Sequence, residues 1–322
     1  MIVIISPLPF VRLLIRSYDL QRTYPVKRLK WKGERGASRD MARTNIHQVE
    51  IIRTGLDHPE CVNFGPDGRL YAGGFAGQVY VLDPPEFTLR QLASTQGFIG
   101  GVTVDGKHNV YLCNQTKRSI VRVTQNGEST VFCDKAPDGP LIQPNYGSFD
   151  AKGNYYFSDS GETWKPNGRL IRVKAGGESE SLIGGNWHFP NGLAISPSDG
   201  AVFMIESTAA DILRITVNKD GSVGQPEIFA QFQDNVFLDG LAFAKNGNLY
   251  VSCYTPNRIY MVMPDQNIEL LIEDTGGEIL NQPTNVAFEP NGTRLFIASL
   301  GGQHVSALDV GEQGMPLYYP QL

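Results

Sequence analysis

One short pattern recurs six times along this chain and leaves few folds open. Each copy opens on an alternating apolar run, as in Cys61-Val62-Asn63-Phe64, Gly101-Val102-Thr103-Val104, Tyr146-Gly147-Ser148-Phe149, Leu193-Ala194-Ile195, Leu241-Ala242-Phe243 and Val286-Ala287-Phe288. A turn follows, then a second run carrying one aromatic residue: Tyr71, Tyr111, Tyr156, Phe203, Tyr250 and Phe296. The steps between these aromatics are 40, 45, 47, 47 and 46 residues. That is the repeat length of propeller blades and not of helical solenoids. The fourth copy predicts strands over 192–196, 201–206, 211–217 and 227–232, with turns at Pro197-Ser198-Asp199-Gly200 and Asn218-Lys219-Asp220-Gly221. Asn, Asp and Gly stand in such turns because tight hairpins need residues that tolerate positive φ. No segment of the body sustains a helical period. The expected fold is all-β, a six-bladed β-propeller.

The sixth copy runs out of chain after three strands. The missing outer strand is available at the other end, in Gln48-Val49-Glu50-Ile51-Ile52-Arg53. Pairing it there closes the ring through an N-terminal strand and removes an open sheet edge. The domain reading is therefore a propeller over 46–322 and a basic extension over 1–45. Residues 1–43 hold ten Lys or Arg against three Asp or Glu, which leaves 18 against 30 for the rest. The extension reads as disordered or adventitious, with a transit peptide or membrane-surface arm as alternatives. Its apolar start is broken by Pro7 and Pro9 and its charges follow rather than precede it, so neither stable membrane insertion nor a secretory signal is expected.

The acidic body argues against nucleic acid as a partner and suits a cation or a small neutral or cationic substrate. Cys61, Cys113, Cys133 and Cys253 form no C-x-x-C pair and fall in or beside predicted strands, which suits buried thiols in a reducing, cytoplasmic setting, with a disulfide between two of them as the alternative. No nucleophile elbow, zinc-protease helix, P-loop or dinucleotide turn occurs. Oligomeric state has no sequence signal.

The chemistry lies at the start of the copies. Pro59-Glu60, Pro144-Asn145, Pro190-Asn191 and Leu238-Asp239 each precede an inner run, in copies one, three, four and five. In a propeller those positions gather at one mouth of the central channel. Glu60, Asn145, Asn191 and Asp239 would bring two carboxylates and two amide carbonyls to it, all hard oxygen donors. That set suits Ca²⁺, with another divalent cation possible and zinc disfavoured. The alternative is that each residue only caps its local turn. Asp159 and Glu206, at the ends of second runs, are candidates to orient the amides. Trp164, Trp187 and His188 are candidate walls of a substrate pocket.

The motifs His58-Pro59-Glu60, Pro144-Asn145, Phe189-Pro190-Asn191-Gly192-Leu193-Ala194 and Leu238-Asp239-Gly240-Leu241-Ala242 carry a resemblance. The body from about 47 to 310 resembles the SMP-30/gluconolactonase/luciferin-regenerating-enzyme-like family, within the calcium-dependent lactonase and phosphotriesterase superfamily. The resemblance implies a divalent metal on Glu60, Asn191 and Asp239, with Asn145 as a fourth, often substrate-side, position. It also implies a metal-dependent hydrolase of a lactone, with Asp239 activating water. Sugar-lactone members place an arginine near the second blade, whereas this chain has Phe98-Ile99-Gly100-Gly101-Val102-Thr103 there. The stretch from Asn191 to Thr208 also resembles strictosidine-synthase-like propellers. Two readings stay open: a lactone hydrolase, and a non-catalytic ligand-binding or scaffold propeller with a structural metal.

Overall fold

The structure, a computed structural model, describes residues 42–163, 165–233 and 235–322. The basic extension expected over 1–45 lies almost wholly outside them. Six four-stranded antiparallel sheets follow one another around a ring. The inner strands are Val62–Phe64, Ile99–Val104, Pro144–Phe149, Pro190–Ile195, Phe237–Phe243 and Pro283–Phe288, in blades 1 to 6. Blade 4 continues through Val202–Glu206, Asp211–Ile215 and Glu227–Gln231, within two residues of the bounds expected from sequence. Blade 6 takes its outer strand from the N-terminal side: Glu50–Thr54 pairs antiparallel with His304–Asp309. Arg53 fastens that strand to blade 1 by donating to the carbonyls of Phe87 and Glu86, at 2.9 and 2.7 Å. Ahead of it, the backbone N–H groups of Arg43 and Thr44 already bond to Leu270 and Leu271 of blade 5.

The recurring aromatic of the second strand explains why the repeat keeps its register. In four places it meets, edge to face, an aromatic at the end of the next blade's inner strand. The pairs are Tyr111–Phe149, Phe203–Phe243, Tyr250–Phe288 and Phe296–Phe64, with centroids 5.1, 5.1, 5.2 and 5.1 Å apart. Each such pair adds about 0.5–1.5 kcal/mol beyond its buried area. The cores accordingly lie between blades: one cluster joins blades 4 and 5, others blades 5 and 6, 6 and 1, and 2 and 3. All four cysteines are buried free thiols.

The C-terminal tail crosses the end of the channel where the inner strands finish. Met315 donates to the Phe243 carbonyl and Gly106 to that of Pro320, while the Tyr319 hydroxyl donates to Phe64. A cavity of ≈ 70 Å³ remains under Met315-Pro316-Leu317-Tyr318, walled by inner-strand residues such as Leu193, Leu241 and Val286. Among the described residues no helix is long and apolar enough to cross a membrane.

Candidate metal centre and active site

The opposite end of the channel carries the sequence-expected oxygens, and a backbone irregularity puts them there. In blades 3, 4, 5 and 6 the pairing of the inner strand with the second strand slips within its first few residues. The slips fall between Pro144 and Gly147, Pro190 and Leu193, Leu238 and Leu241, and Pro283 and Val286. Such a bulge leaves residues unpaired and re-aims their side chains. Asn145, Asn191 and Asp239 occupy these slips. They are therefore inside the inner strands and not ahead of them, as the apolar pattern alone suggested. Only Glu60 precedes its strand, which begins at Val62.

In blades 4 and 5 the neighbouring inner strand comes close enough to leave no room for a side chain on the residue after Asn191 or Asp239. A Cβ on Gly192 would lie 2.5 Å from the Asp239 carbonyl, and one on Gly240 2.7 Å from the Asn285 Cα. The Asn285 amide oxygen in turn accepts from the Val62 N–H at 3.1 Å. This chain of contacts links blades 4, 5, 6 and 1 at the level of the oxygens. All four expected residues are buried.

Their electrostatics are those of two acids held together out of water. Burial pushes the Glu60 carboxyl up to about 8. Burial, and then the charge of Glu60, pushes Asp239 well above the carboxylate range, with a hydrogen bond from Asn191 opposing the shift. Tyr254, also raised by burial, feels both Glu60 and Asp239. Glu60 Oε2 is buried with no hydrogen-bond partner.

The two amides are oriented by hydroxyls. Asn145 donates to Ser160 Oγ and Asn191 to Ser207 Oγ, both at 3.1 Å. Ser160 spends its own proton on the Pro190 carbonyl at 2.7 Å, so it can only accept from Asn145. The amide nitrogen is therefore the atom turned to the serine, and the carbonyl oxygen faces away from it. The acids expected to orient these amides do something else. Asp159 accepts from the backbone of Ile142 and Gln143 and pairs with Arg169, and Glu206 accepts from the His188 N–H at 2.7 Å. Their serine neighbours were the residues missed, although Asp159-Ser160 and Glu206-Ser207 are matching pairs in the sequence.

These observations fit a hard divalent cation. Among the described residues no three His, Cys, Asp or Glu side chains gather in one cluster, so such an ion would draw on the amide oxygens as well as Glu60 and Asp239. Two carboxylates raised by burial, Asp239 also by the charge of Glu60, and one of them with an oxygen lacking any partner, are the groups a cation would satisfy. Blade 2 has no side chain at the equivalent position, Gly100, where a Cβ would meet Gln115 Nε2 at 2.5 Å.

Around the oxygens the rim is aromatic. Phe189 stacks near Phe237 and Phe237 near Tyr254, with centroids 5.8 and 6.1 Å apart. His58 and Phe98 flank Phe75 at 5.8 and 5.4 Å. Trp187 is fully buried at the end of blade 3's outer strand, paired with Gly168, and His188 beside it is half-buried. Trp164 lies outside the described residues.

Fold and site together define a six-bladed propeller with an oxygen-lined channel mouth. The chain belongs to the SMP-30/gluconolactonase/LRE-like family, whose model matches residues 75–301. A strictosidine synthase-like N-terminal model matches residues 44–82, the closing strand of blade 6 and most of blade 1, and not the 191–208 stretch. Among similar curated proteins is lactonase drp35 of Staphylococcus aureus (strain USA300), 25% identical over 78% of this chain and 81% of the relative. A luciferin-regenerating enzyme superposes with a TM-score of 0.72 at 19% identity, covering 85% of this chain and 99% of the other. A calcium-binding regucalcin from Agrobacterium tumefaciens gives 0.72 at 15% identity, covering 85% and 97%.

Proposed function

We propose that this chain is a divalent-cation-dependent lactone hydrolase with Ca²⁺ as its cation, held by Glu60, Asn145, Asn191 and Asp239. The observation that carries the reading is the buried Glu60–Asp239 pair beside two serine-oriented amides, in a family whose curated relatives include a lactonase. A bound divalent cation supplies Lewis-acid polarisation of the ester carbonyl and favours the charge that develops on its oxygen.

The chain's residues do the rest. Asp239, ionised in the loaded site, takes a proton from the attacking water as the water oxygen bonds to the carbonyl carbon. The ring C–O bond then breaks, and the proton passes from Asp239 to the departing alkoxide, leaving a hydroxy acid. Asn145 and Asn191 hold their oxygens fixed through Ser160 and Ser207. The aromatic rim, with Phe98 where sugar-lactone members carry an arginine, favours a lactone with an apolar substituent over a sugar lactone.

The rival is a ligand-binding propeller with a structural cation, which the deep burial of all four oxygens favours. A panel of alkyl-substituted γ- and δ-lactones and gluconolactone, assayed with calcium supplied and chelated, separates the two. Calcium-dependent hydrolysis of the alkyl lactones supports the enzyme. Its absence across the panel, with calcium still bound, supports the rival.

A further inference from the structure

The ring has a sixth position, and it is filled by a hydroxyl. In blade 6 Pro283 faces Ser299 across the strand pair, as Pro144 faces Asp159 and Pro190 faces Glu206, and the pairing slips immediately afterwards in all three. Thr284 therefore holds the place that Asn145 and Asn191 hold in their blades. Its blade lies between those of Asp239 and Glu60. The backbone there is fastened on both sides. The Thr284 carbonyl accepts from Ser252 Oγ at 2.7 Å, a hydroxyl that also binds the Gly240 backbone of blade 5. The next residue, Asn285, accepts from Val62 of blade 1.

The side chain itself is fully buried, and Thr284 Oγ1 has no hydrogen-bond partner. In blades 3 and 4 the residue after the second-strand partner is Ser160 or Ser207, which holds the amide. In blade 6 that residue is Leu300, also buried, so nothing ties the Thr284 hydroxyl down. A buried hydroxyl without a partner is a cost that valine, of nearly the same shape, would remove. On the next blade Glu60 Oε2 is likewise buried without a partner, and two such oxygens on adjacent blades point to a shared ligand.

We infer that Thr284 is the fifth oxygen donor of this centre, a neutral one set in the gap between the two carboxylates. The inference rests on the cation reading above and extends it to a residue outside the four. A neutral hydroxyl adds a ligand without adding charge, so the site keeps two negative charges for a divalent ion.

The test uses the full chain as wild type, Thr284→Val and Thr284→Ser, stripped with chelator. Thermal stability is measured without metal, and calcium affinity by titration calorimetry. Metal-free Thr284→Val should be at least as stable as wild type, because no hydrogen bond is lost. Its calcium Kd should rise about tenfold or more, the scale of one lost bond to a charged partner. Thr284→Ser should stay near wild type in both. Unchanged calcium affinity in Thr284→Val overturns the assignment while leaving the four-ligand centre standing. A metal-free Thr284→Val that is less stable than wild type also overturns it, by giving the hydroxyl a structural bond. Wild type that binds no calcium brings down the cation reading itself, and this inference with it.

Discussion

The two halves of the channel mouth solve the same placement problem with opposite chemistry. In blades 3 and 4 the bulge carries Asn145 and Asn191, neutral amides whose nitrogens are each satisfied by a serine. In blades 5 and 6 it carries Asp239 and Thr284, with Glu60 just ahead of the inner strand of blade 1, and two of these three side chains have a buried oxygen with no partner. Backbone geometry is common to both halves, since Asn145, Asn191, Asp239 and Thr284 all sit in equivalent register slips. The difference is therefore in side-chain satisfaction. A satisfied half fixes geometry at little cost to the empty fold, whereas an unsatisfied half stores the free energy that a ligand recovers on binding.

The sharpest way to break this comparison is at Asp239. Asp239→Asn keeps an oxygen and nearly the same volume while removing a buried carboxyl that burial and the charge of Glu60 raise. The metal-free variant should fold at least as well as wild type. Lactone hydrolysis should fall by about two orders of magnitude or more, the scale of a lost general base. Steady-state rates at saturating calcium, beside a melting curve in chelator, check both halves of the statement. A full-rate Asp239→Asn places the base elsewhere.

A pH series probes the same half through Glu60. Its carboxyl is held near 8 in the folded chain by burial, against an ordinary 4.5. Between those values the metal-free folded state keeps a proton that the unfolded chain releases. Stability without metal should therefore fall as pH rises from about 4.5 through about 8. Calcium binding needs the ionised form, so the calcium-induced rise in melting temperature should grow across the same interval. Scanning calorimetry at several pH values, with calcium and with chelator, reads both trends. Glu60→Gln should reduce the metal-free trend without abolishing it, since burial also raises Asp239, and a wild type already flat from pH 5 to 8 would show Glu60 ionised in the empty fold.

Much of this was legible in the chain because a propeller repeats. The spacing of Tyr111, Phe203, Tyr250 and Phe296 reported blade length since each packs against the next blade, and packing partners must recur wherever the interface does. The incomplete sixth copy revealed the closing strand for a similar reason: an unpaired sheet edge in a ring has only one place to find its partner. Glu60, Asn145, Asn191 and Asp239 stood out as oxygen donors at equivalent positions. What the pattern hid was local. A bulge does not alter the alternation of Tyr146 to Phe149 or Leu193 to Ile195, so the ligand residues seemed to precede their strands. Ser160 and Ser207 were passed over beside more conspicuous acids, because which of two adjacent residues faces the axis depends on that same slip. Thr284 was masked by its chemistry, a hydroxyl in a series of carboxylates and amides. The tail after Asp309 has no repeat partner, so nothing in the periodicity placed it across the channel's far end.

The satisfied half gives the smallest effects and the finest test. Ser207→Ala removes the oxygen that receives the Asn191 amide nitrogen, leaving a buried N–H₂ to find another acceptor. That should cost about 1–3 kcal/mol of stability in the metal-free chain. Ser160→Ala removes the matching acceptor of Asn145 and also the bond from Ser160 to Pro190 that ties blade 3 to blade 4, so its stability loss should be the larger of the two. Calcium affinity should fall in both variants by less than in Asp239→Asn, because the amide oxygens remain present and lose only their fixed orientation. Chelator melting curves rank the stability losses, and calcium titrations of the same samples rank the affinities. If Ser207→Ala changes neither quantity, the serines are not what orients the amides, and the division of the ring into a positioning half and a binding half fails at its neutral side.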